Sequence, residues 1–267
     1  ERLKGVQSCA VNWSSPETYV NAIGYQGGTV GISVDDYMSV NFDVEQIITS
    51  SHDPIINLFE STEVSGEIEY GENNFAFNQG QVTSYGCSCE VGGLPIINSS
   101  FLAYKNSGGE ALAGSRRPED DENIIIALPG TLSLDVFGRA SNSVQSIAIT
   151  AEIGRQPVQI IGENIPTNFI IDFPLQVDCQ FTLIVQDYES SNLYDFICTP
   201  REQDLLFKFL NCHSNETIRQ FFMPKARMVD YSQDAGLNDT LIASFTYKSL
   251  IKSLPDLKKV FNGETFS

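Results

Sequence analysis

The sequence predicts a mainly β protein in which one domain plan occurs twice in tandem. Two observations lead to this prediction. One is a long alternation of apolar and polar residues in the second half, and the other is a similarity between the halves that keeps one order of segments over about 100 residues. Each half is predicted to contain a strand, a turn or short helix, a long strand, a helix and two further strands. At 267 residues, 42% of them hydrophobic, the chain has room for two domains and their cores.

Residues 170–185, IIDFPLQVDCQFTLIV, carry the clearest strand signal. Apolar side chains occupy eight successive odd positions: Ile171, Phe173, Leu175, Val177, Cys179, Phe181, Leu183 and Val185. The even positions between them are polar or proline, apart from Ile184. Because successive side chains of a strand point to opposite faces, the segment predicts one long strand with a dry face and a wet face. A bend is expected at Pro174.

The chain aligns with itself at the start of each half. Residues 6–24 align with residues 144–162 at an offset of 138 without a gap, and seven of these nineteen positions are identical. At an offset one residue smaller, 174 − 37 = 137, residues 37–48 align with residues 174–185, and the alternation of apolar and polar residues is kept. The repeated order of segments, more than any single motif, predicts a duplication.

A short helix is expected after the long strand of each half. Residues 51–60 and 198–211 each begin with a capping residue and a first-turn proline. Thr199 and Glu202 also have the spacing of a capping box. The apolar stripe of the second helix would consist of Leu205, Leu206, Phe209 and Leu210. Such a stripe is typical of a helix that packs on a sheet.

The last two strands of each half align over residues 75–104 and 220–248. The shared anchors are Phe77 with Phe221, Gly92 with Gly236, and Ser100-Phe101 with Ser244-Phe245. The predicted organisation is therefore a first domain over 1–105, a linker over 106–123, a second domain over 124–252 and a C-terminal tail over 253–267. The linker is rich in Gly, Ser and charge. Residues 124–139 are predicted to form a hairpin that belongs to the second domain or reaches a neighbouring chain.

The charge balance limits the kinds of partner that the protein can bind. The net charge is −18, and between Lys4 and Lys105 there is no Lys or Arg, whereas twelve Asp and Glu fall in that span. Tight binding of DNA or RNA needs cations that neutralise phosphates, so the composition argues against it. No apolar run approaches the ~20 residues that a membrane-spanning helix needs, and no membrane segment is expected.

Catalytic and metal-binding signals are sparse. The histidines, His52 and His213, lie at predicted helix ends, and Cys87 with Cys89 shares one strand face without a second ligand pair. The six cysteines follow no repeating framework and are predicted to be reduced thiols that fill the core. No nucleophile elbow, phosphate-binding loop, zinc-protease motif or calcium loop is present. We therefore expect no enzymatic activity, no cofactor and no metal.

Two stretches resemble a protein family. The first is VQSIAITAEIGRQPVQIIG (144–162), followed by FIIDFPLQVDCQFTLIV (169–185) with its Phe173-Pro174 and Val177. The second is QGQVTSYGCSCEVGGLPIINSSF (79–101), with Ser84-Tyr85, Val91-Gly92 and Pro95. Together they resemble the tail tube proteins of tailed bacteriophages, in their duplicated two-domain form. The first repeat departs from the pattern, with Asp36-Tyr37 in place of the Phe-Pro pair, and the second lacks the full Ser-Tyr strand.

The resemblance implies that each domain is a β-sandwich with one flanking α-helix, and that the sheets of neighbouring domains join into a barrel-like ring. Stacked rings would form the tail tube of the virion, the conduit through which the genome passes into the host, assembled in the bacterial cytoplasm. The implied partners are further copies of the chain, three of which would make a pseudo-sixfold ring, other tail proteins, and double-stranded DNA that passes without sticking.

A tube of this kind would have a polar bore that repels phosphates. By strand parity, the candidate lumen-facing residues are Asp43, Glu45, Glu90, Glu152, Asp172, Gln176, Asp178 and Gln180. For each of them, an ordinary solvated strand face is the alternative.

Two other functions stay open at this point. A distal tail or baseplate ring protein would share the same domain. A secreted or virion-displayed tandem β-sandwich adhesin is permitted by the glycosylation sequons at Asn12, Asn98, Asn215 and Asn238.

Overall fold

The computed structural model describes residues 3, 5–15, 17–21, 29–34, 39–48, 53–61, 63–70, 73–110, 132–136, 139–141, 144–163, 165–184, 202–210, 217–234 and 241–265. The first half contains β1 (Val6–Ser14), β2 (Glu17–Asn21), β3 (Thr29–Val34), β4 (Ser39–Ile47), β5 (Val64–Tyr70), β6 (Asn73–Glu90) and β7 (Ile96–Glu110). Between β4 and β5 lie α1 (Pro54–Asn57) and a 3-10 turn (Leu58–Glu60).

The second half contains β8 (Leu132–Val136), β9 (Arg139–Ser141), β10 (Val144–Glu152), β11 (Arg155–Val158), β12 (Asn168–Ile171), β13 (Leu175–Ile184), β14 (Gln203–Leu210), β15 (Thr217–Asp234) and β16 (Ile242–Ile251). The chain then forms α2 (Leu254–Asn262). The mainly β prediction is confirmed. The predicted hairpin over 124–139 corresponds in part to β8 and the start of β9, and residues 124–131 lie outside the described residues.

Most strands belong to one antiparallel sheet. Its order is β1-β4-β7-β6-β10-β13-β16-β15-β14-β8-β9, and β5 pairs with β6 beside this path. β2 with β3 and β11 with β12 form two separate hairpins. The order β1-β4-β7-β6 of the first half returns as β10-β13-β16-β15 in the second, and β6 pairs with β10 where the halves meet. Among the described strands the sheet is open, so the predicted barrel-like ring requires more than one chain.

The alternation of burial follows the sequence pattern in the long strands. Val177, Cys179 and Phe181 of β13 are buried, whereas Gln176 and Gln180 are exposed. The apolar face packs on one core cluster that contains residues of both halves. A strand with one dry face buries apolar area on that side alone, and this is the period that the sequence contains.

The local irregularities also occur twice. The ladder of β6 with β7 shifts register between Val82 and Ser84, and that of β15 with β16 shifts between Met228 and Asp230. Gln79 and Lys225 both have positive φ, at 56° and 47°. Each of these pairs differs by 146 residues, for example 225 − 79 = 146. The structural offset of the last two strands is therefore 146.

The offset predicted for these strands was wrong by two residues, since the anchors Phe77 and Phe221 differ by 144. A slip of two residues keeps every side chain on the same face, so alternation alone cannot distinguish the two alignments. Pairing decides it. Phe42 of β4 is opposite Phe101, and its equivalent Cys179 of β13 is opposite Tyr247, which is 146 residues after Phe101.

The helix predicted over 198–211 is wrong for residues 203–210, which form β14 between β8 and β15. Leu205, Phe207 and Phe209 are buried at alternate positions. A short apolar run fits both a helical stripe and a strand, and the ladders on both sides decide in favour of the strand. Residues 198–201 and 211 lie outside the described residues. The helix predicted over 51–60 is present as α1 and the 3-10 turn, and Asp53 caps it by accepting from the backbone N of Ile55.

The segment predicted as a C-terminal tail contains a helix that belongs to the core. Ser253 caps α2 by accepting from the backbone N of Asp256, and the helix ends at Gly263, whose φ is 68°. α2 packs against β15 and buries Leu257, Val260 and Phe261. Ser-x-x-Asp before an apolar pattern is a helix-start signal that the sequence contained. Of the predicted linker, residues 106–110 lie in β7 and the rest lies outside the described residues.

Candidate functional site

The candidate functional site is the polar face of the sheet together with two of its open edges, β1 and the end of β15; among the described strands, β5 and β9 also pair on one side only. Seven of the eight predicted lumen-facing residues lie on this polar face. In β4, Asp43 and Glu45 alternate with the buried Phe42 and Val44. The other five are Glu90 of β6, Glu152 of β10, and Gln176, Asp178 and Gln180 of β13. Their role in a bore stays a prediction.

Asp172 does not lie on a strand of the main sheet. It belongs to the connection between β12 and β13, and it accepts a hydrogen bond of 2.6 Å from Nε2 of Gln156. The hairpin formed by β11 and β12 ends there, so the alternation that placed Asp172 in register with β13 is interrupted before the strand begins at Leu175.

Short polar side chains lie between the acidic residues on the polar face. Ser100 donates to Oδ1 of Asp43 at 2.7 Å, and the hydroxyls of Ser146 and Thr182 lie 2.7 Å apart. Two cations, which strand parity had not suggested, also lie on this face. Nζ of Lys248 is 3.7 Å from Oδ1 of Asp178, and Arg227 forms an ion pair with Glu202. Both cations therefore lie beside carboxylates.

The junction between the halves is an antiparallel ladder. Tyr85 of β6 is opposite Ala151 of β10, and the pairing runs to Glu90 opposite Ser146. Beyond the end of β10, the backbone N of Ile153 donates to O of Thr83 at 2.7 Å. We call this ladder the internal seam. It joins the second half to the first through backbone hydrogen bonds, which any chain with the same two edges could form.

The hairpin formed by β11 and β12 reaches across the internal seam. Arg155 donates from Nε to O of Val82 at 3.1 Å, from Nη1 to Oε1 of Gln81 at 2.5 Å and from Nη2 to O of Phe59 at 2.5 Å. Burial lowers the pKa of the Arg155 guanidinium. Phe169 of β12 also packs on Tyr104 of β7, with ring centroids 5.5 Å apart. The second half thus covers Gln81, which is 0% exposed.

The first open edge is β1, which stands at the end of the described sheet and pairs with β4 alone. Its equivalent in the second half, β10, lies between two strands. The difference in burial is large. Val6 is 42% exposed and Trp13 is 54% exposed, whereas their equivalents Val144 and Ala151 are 6% and 1% exposed. β1 thus has the sequence of an interior strand in an edge position.

The second open edge is the end of β15. Residues 217–226 pair with β14, and residues 227–234 pair with β16. Among the described strands, nothing pairs with the other side of residues 227–234, where β6 carries β10. Val229 on this edge is 52% exposed. Unpaired strand edges are sites at which sheets join.

A buried polar cluster ties the helix cap of the first half to the second half. Asp53, 3% exposed, accepts from Nε2 of Gln46 at 2.8 Å and from the hydroxyl of Tyr85 at 2.6 Å. Nη2 of Arg219 in β15 donates to the same hydroxyl at 3.3 Å. Burial, and then the Asp53 carboxylate, raise the pKa of Tyr85 well above its usual value. Burial of this cluster and its hydrogen bonds between Gln46, Asp53, Tyr85 and Arg219 indicate a structural role.

The cysteine thiols, like the Tyr85 hydroxyl, have pKa values that burial raises. Burial raises the pKa of Cys87 and Cys179, and it raises the pKa of Cys89 to about 11. Within the described ranges, His, Cys, Asp and Glu do not gather in threes that could hold a metal ion. Nor does any helix in the described part of the chain have the length and apolar character needed to cross a membrane. His52, Cys198, Cys212 and His213 lie outside the described residues.

The residues of the internal seam and of the two open edges were not predicted from the sequence. Arg155 and Glu17 occupy the same column of the alignment of residues 6–24 with 144–162, so the reversal of charge was visible there. The alignment does not show which strand faces that column. Only the sheet order brings Arg155 to Gln81 and leaves Trp13 on an edge.

No protein-family model matches this sequence, and neither does any curated protein. Among solved structures, the chain is similar to Hcp1 from Flavobacterium johnsoniae, with 16% sequence identity and a TM-score of 0.31. The similarity covers 46% of this chain and 96% of that chain. A likeness at this score does not establish a shared fold or activity, so the functional proposal rests on the strand order and the edges.

Proposed function

We propose that this protein is a structural subunit that assembles into rings, and that stacked rings form a tube of the kind found in the tails of bacteriophages. The proposal makes the protein a component of the virion, assembled in the bacterial host, without enzymatic activity or cofactor. The observation that supports it most is the internal seam, because it joins one repeat to the next through strand edges whose equivalents, β1 and the end of β15, are unpaired among the described strands.

The two ends of the repeated unit differ. One is β1, the equivalent of β10, and the other is the end of β15, the equivalent of the stretch of β6 that pairs with β10. An interface between two different surfaces of the same chain is heterologous, and repeated contacts of this kind close into a ring or run on as a filament. Three chains would contribute six repeats and a pseudo-sixfold ring.

Ring closure would also remove the hazard of exposed strand edges. β1 presents nine residues with an unpaired side, and exposed edges of this length promote uncontrolled aggregation. Neither β1 nor the described edge residues 227–234 of β15 contain a proline, the residue that most directly blocks strand pairing. The edges are therefore suited to partners of the same chain.

We further propose that the polar face lines the bore. Carboxylates such as Asp43, Glu90 and Glu152, spaced among serines and threonines, would repel DNA phosphates and leave no strong site at which the duplex could bind. Lys248 lies within ion-pair distance of Asp178, which lowers its availability to phosphate. Stacking of rings would cover exposed apolar side chains of the β11–β12 region, among them Ile160, Ile161 and Ile170.

Negative-stain electron microscopy of the purified chain, combined with mass photometry over a range of concentrations, tests the proposal. Rings or tubes, with a ring mass equal to a small integral number of chains, are the expected result. A protein that stays monomeric at every concentration would refute it and would favour the adhesin alternative. Isolated rings that never stack would favour a distal tail or baseplate position over a tube.

A further inference from the structure

We propose that copies join in the register of the internal seam, and that Glu17 of one copy forms an ion pair with Arg227 of the next. This inference rests on the proposed ring assembly and specifies its interface. In the internal seam the corresponding contact is the hydrogen bond from Arg155 to Gln81. The contact between copies would thus keep the geometry of the internal seam and reverse the side on which the positive charge lies.

The register follows from the two structural offsets. Subtraction of 138 from β10 gives β1, and addition of 146 to β6 gives the end of β15. Glu152 opposite Ser84 therefore becomes Ser14 opposite Asp230. The remaining pairs in the described residues are Trp13 with Tyr231, Asn12 with Ser232, Val11 with Gln233, and Ala10 with Asp234.

The apolar side chains exposed in the single chain fit this register. Trp13, 54% exposed, would lie opposite Tyr231, in the place where Ala151 lies opposite Tyr85 in the internal seam. Leu250, 63% exposed, is the equivalent of Tyr104 (104 + 146 = 250), which Phe169 of the hairpin covers. The hairpin formed by β2 and β3 of the next copy, the equivalent of the hairpin formed by β11 and β12, would lie next to Leu250.

The charges on the two edges also agree with the proposed register. Glu17 is the equivalent of Arg155 (155 − 138 = 17), and Arg227 is the equivalent of Gln81 (81 + 146 = 227). Glu17 is exposed, and the side chain of Arg227 is 65% exposed, whereas Gln81 beneath Arg155 is 0% exposed. A covered Arg–carboxylate pair is a strong and directional contact. Arg227 already lies beside Glu202, so the contact would place it between two carboxylates.

Charge exchange tests the ion pair. Glu17→Arg and Arg227→Glu should each raise the concentration at which half of the chains assemble, by about tenfold, which corresponds to ~1.4 kcal/mol, and the double variant should return it towards the wild-type value. Glu202→Gln is the matched control, because it removes the partner within the chain and should leave assembly within about twofold of wild type. Circular dichroism and the melting temperature of each monomer show whether the variant folds.

Cysteine pairs test the register by a second route. Ala10→Cys with Asp234→Cys places two thiols directly opposite each other between copies, whereas Asn12→Cys with Asp234→Cys places them diagonally, at roughly 7–8 Å between Cα atoms. Under mild oxidation the first pair should link chains into covalent multimers at least about tenfold faster, and mass spectrometry should identify the linked peptides.

The outcomes separate the two proposals. If wild-type chains assemble but the double charge exchange restores nothing and the diagonal pair crosslinks as fast as the direct one, this seam is wrong and ring formation stands. If the wild-type chains do not assemble at all, the proposed function fails.

Discussion

Replacement of Tyr85 by Phe should destabilise the monomer because it removes two hydrogen bonds in the core, the short one that the hydroxyl donates to Asp53 and the longer one that it accepts from Arg219. The Tyr85 hydroxyl donates to Oδ2 of Asp53 at 2.6 Å, and both side chains are buried. Asp53 caps α1, so the bond links the helix of the first half to β6, and Arg219 extends the link to β15. The substitution keeps the ring and its contacts with Phe59 and Phe261.

The expected loss in the free energy of unfolding is about 2 kcal/mol. A hydrogen bond to a charged group contributes roughly 1.5–3 kcal/mol. The carboxylate of Asp53 would keep two donors, Nε2 of Gln46 at 2.8 Å and the backbone N of Ile55 at 3.0 Å. The loss should therefore stay below the roughly 3–5 kcal/mol that follows when a buried charge loses its whole partner.

Urea denaturation at a concentration at which the chain is monomeric provides the measurement, with circular dichroism as the readout. The midpoint should fall while the slope stays unchanged, because the folded surface is the same. Asp53→Asn supplies the second arm of a double-mutant cycle, in which the effect of Tyr85→Phe should be smaller by at least about 1 kcal/mol. Additive effects, or a loss under about 0.5 kcal/mol, would refute the role assigned to this bond.

Three further outcomes are expected in the monomer. Burial raises the pKa of Cys89 to about 11, so the thiol stays protonated in the folded state after it has lost its proton in the unfolded state. The free energy of unfolding should therefore fall as the pH rises from about 9 towards 11. Cys89→Ala should make this fall smaller in urea denaturation measured over the same pH range. Gly86→Val should destabilise by roughly 1–3 kcal/mol, since an added Cβ would lie 2.9 Å from O of Ile149 in the internal seam, and a melting temperature equal to wild type would contradict this. Arg155→Met should cost about 2–3 kcal/mol in urea denaturation through its hydrogen bonds, whereas Glu17→Met at the equivalent exposed position should stay within about 0.5 kcal/mol.

Several elements could be read from the sequence because they depend on local periodicity. β10 begins and ends at the positions that the offset of 138 assigns to β1, and β13 has the predicted dry and wet faces. α1 follows from its Asp-Pro start. β14 was misread because Leu205 and Phe209 fit both a helical stripe and a strand, and only its two neighbours in the sheet resolve the choice.

The sequence by itself determined that a strand plan with one dry and one acidic, polar face occurs twice, because side-chain periods of two and a repeated order of segments are properties of the linear chain. The tertiary structure decided how the two halves of the chain meet. Backbone hydrogen bonds between strands carry no side-chain signature, so only the folded sheet places β10 on β6, brings Arg155 over Gln81, and leaves Trp13 and Arg227 on open edges. The proposed assembly therefore depends on β1 and the end of β15, two of the strand edges that remain unpaired among the described strands.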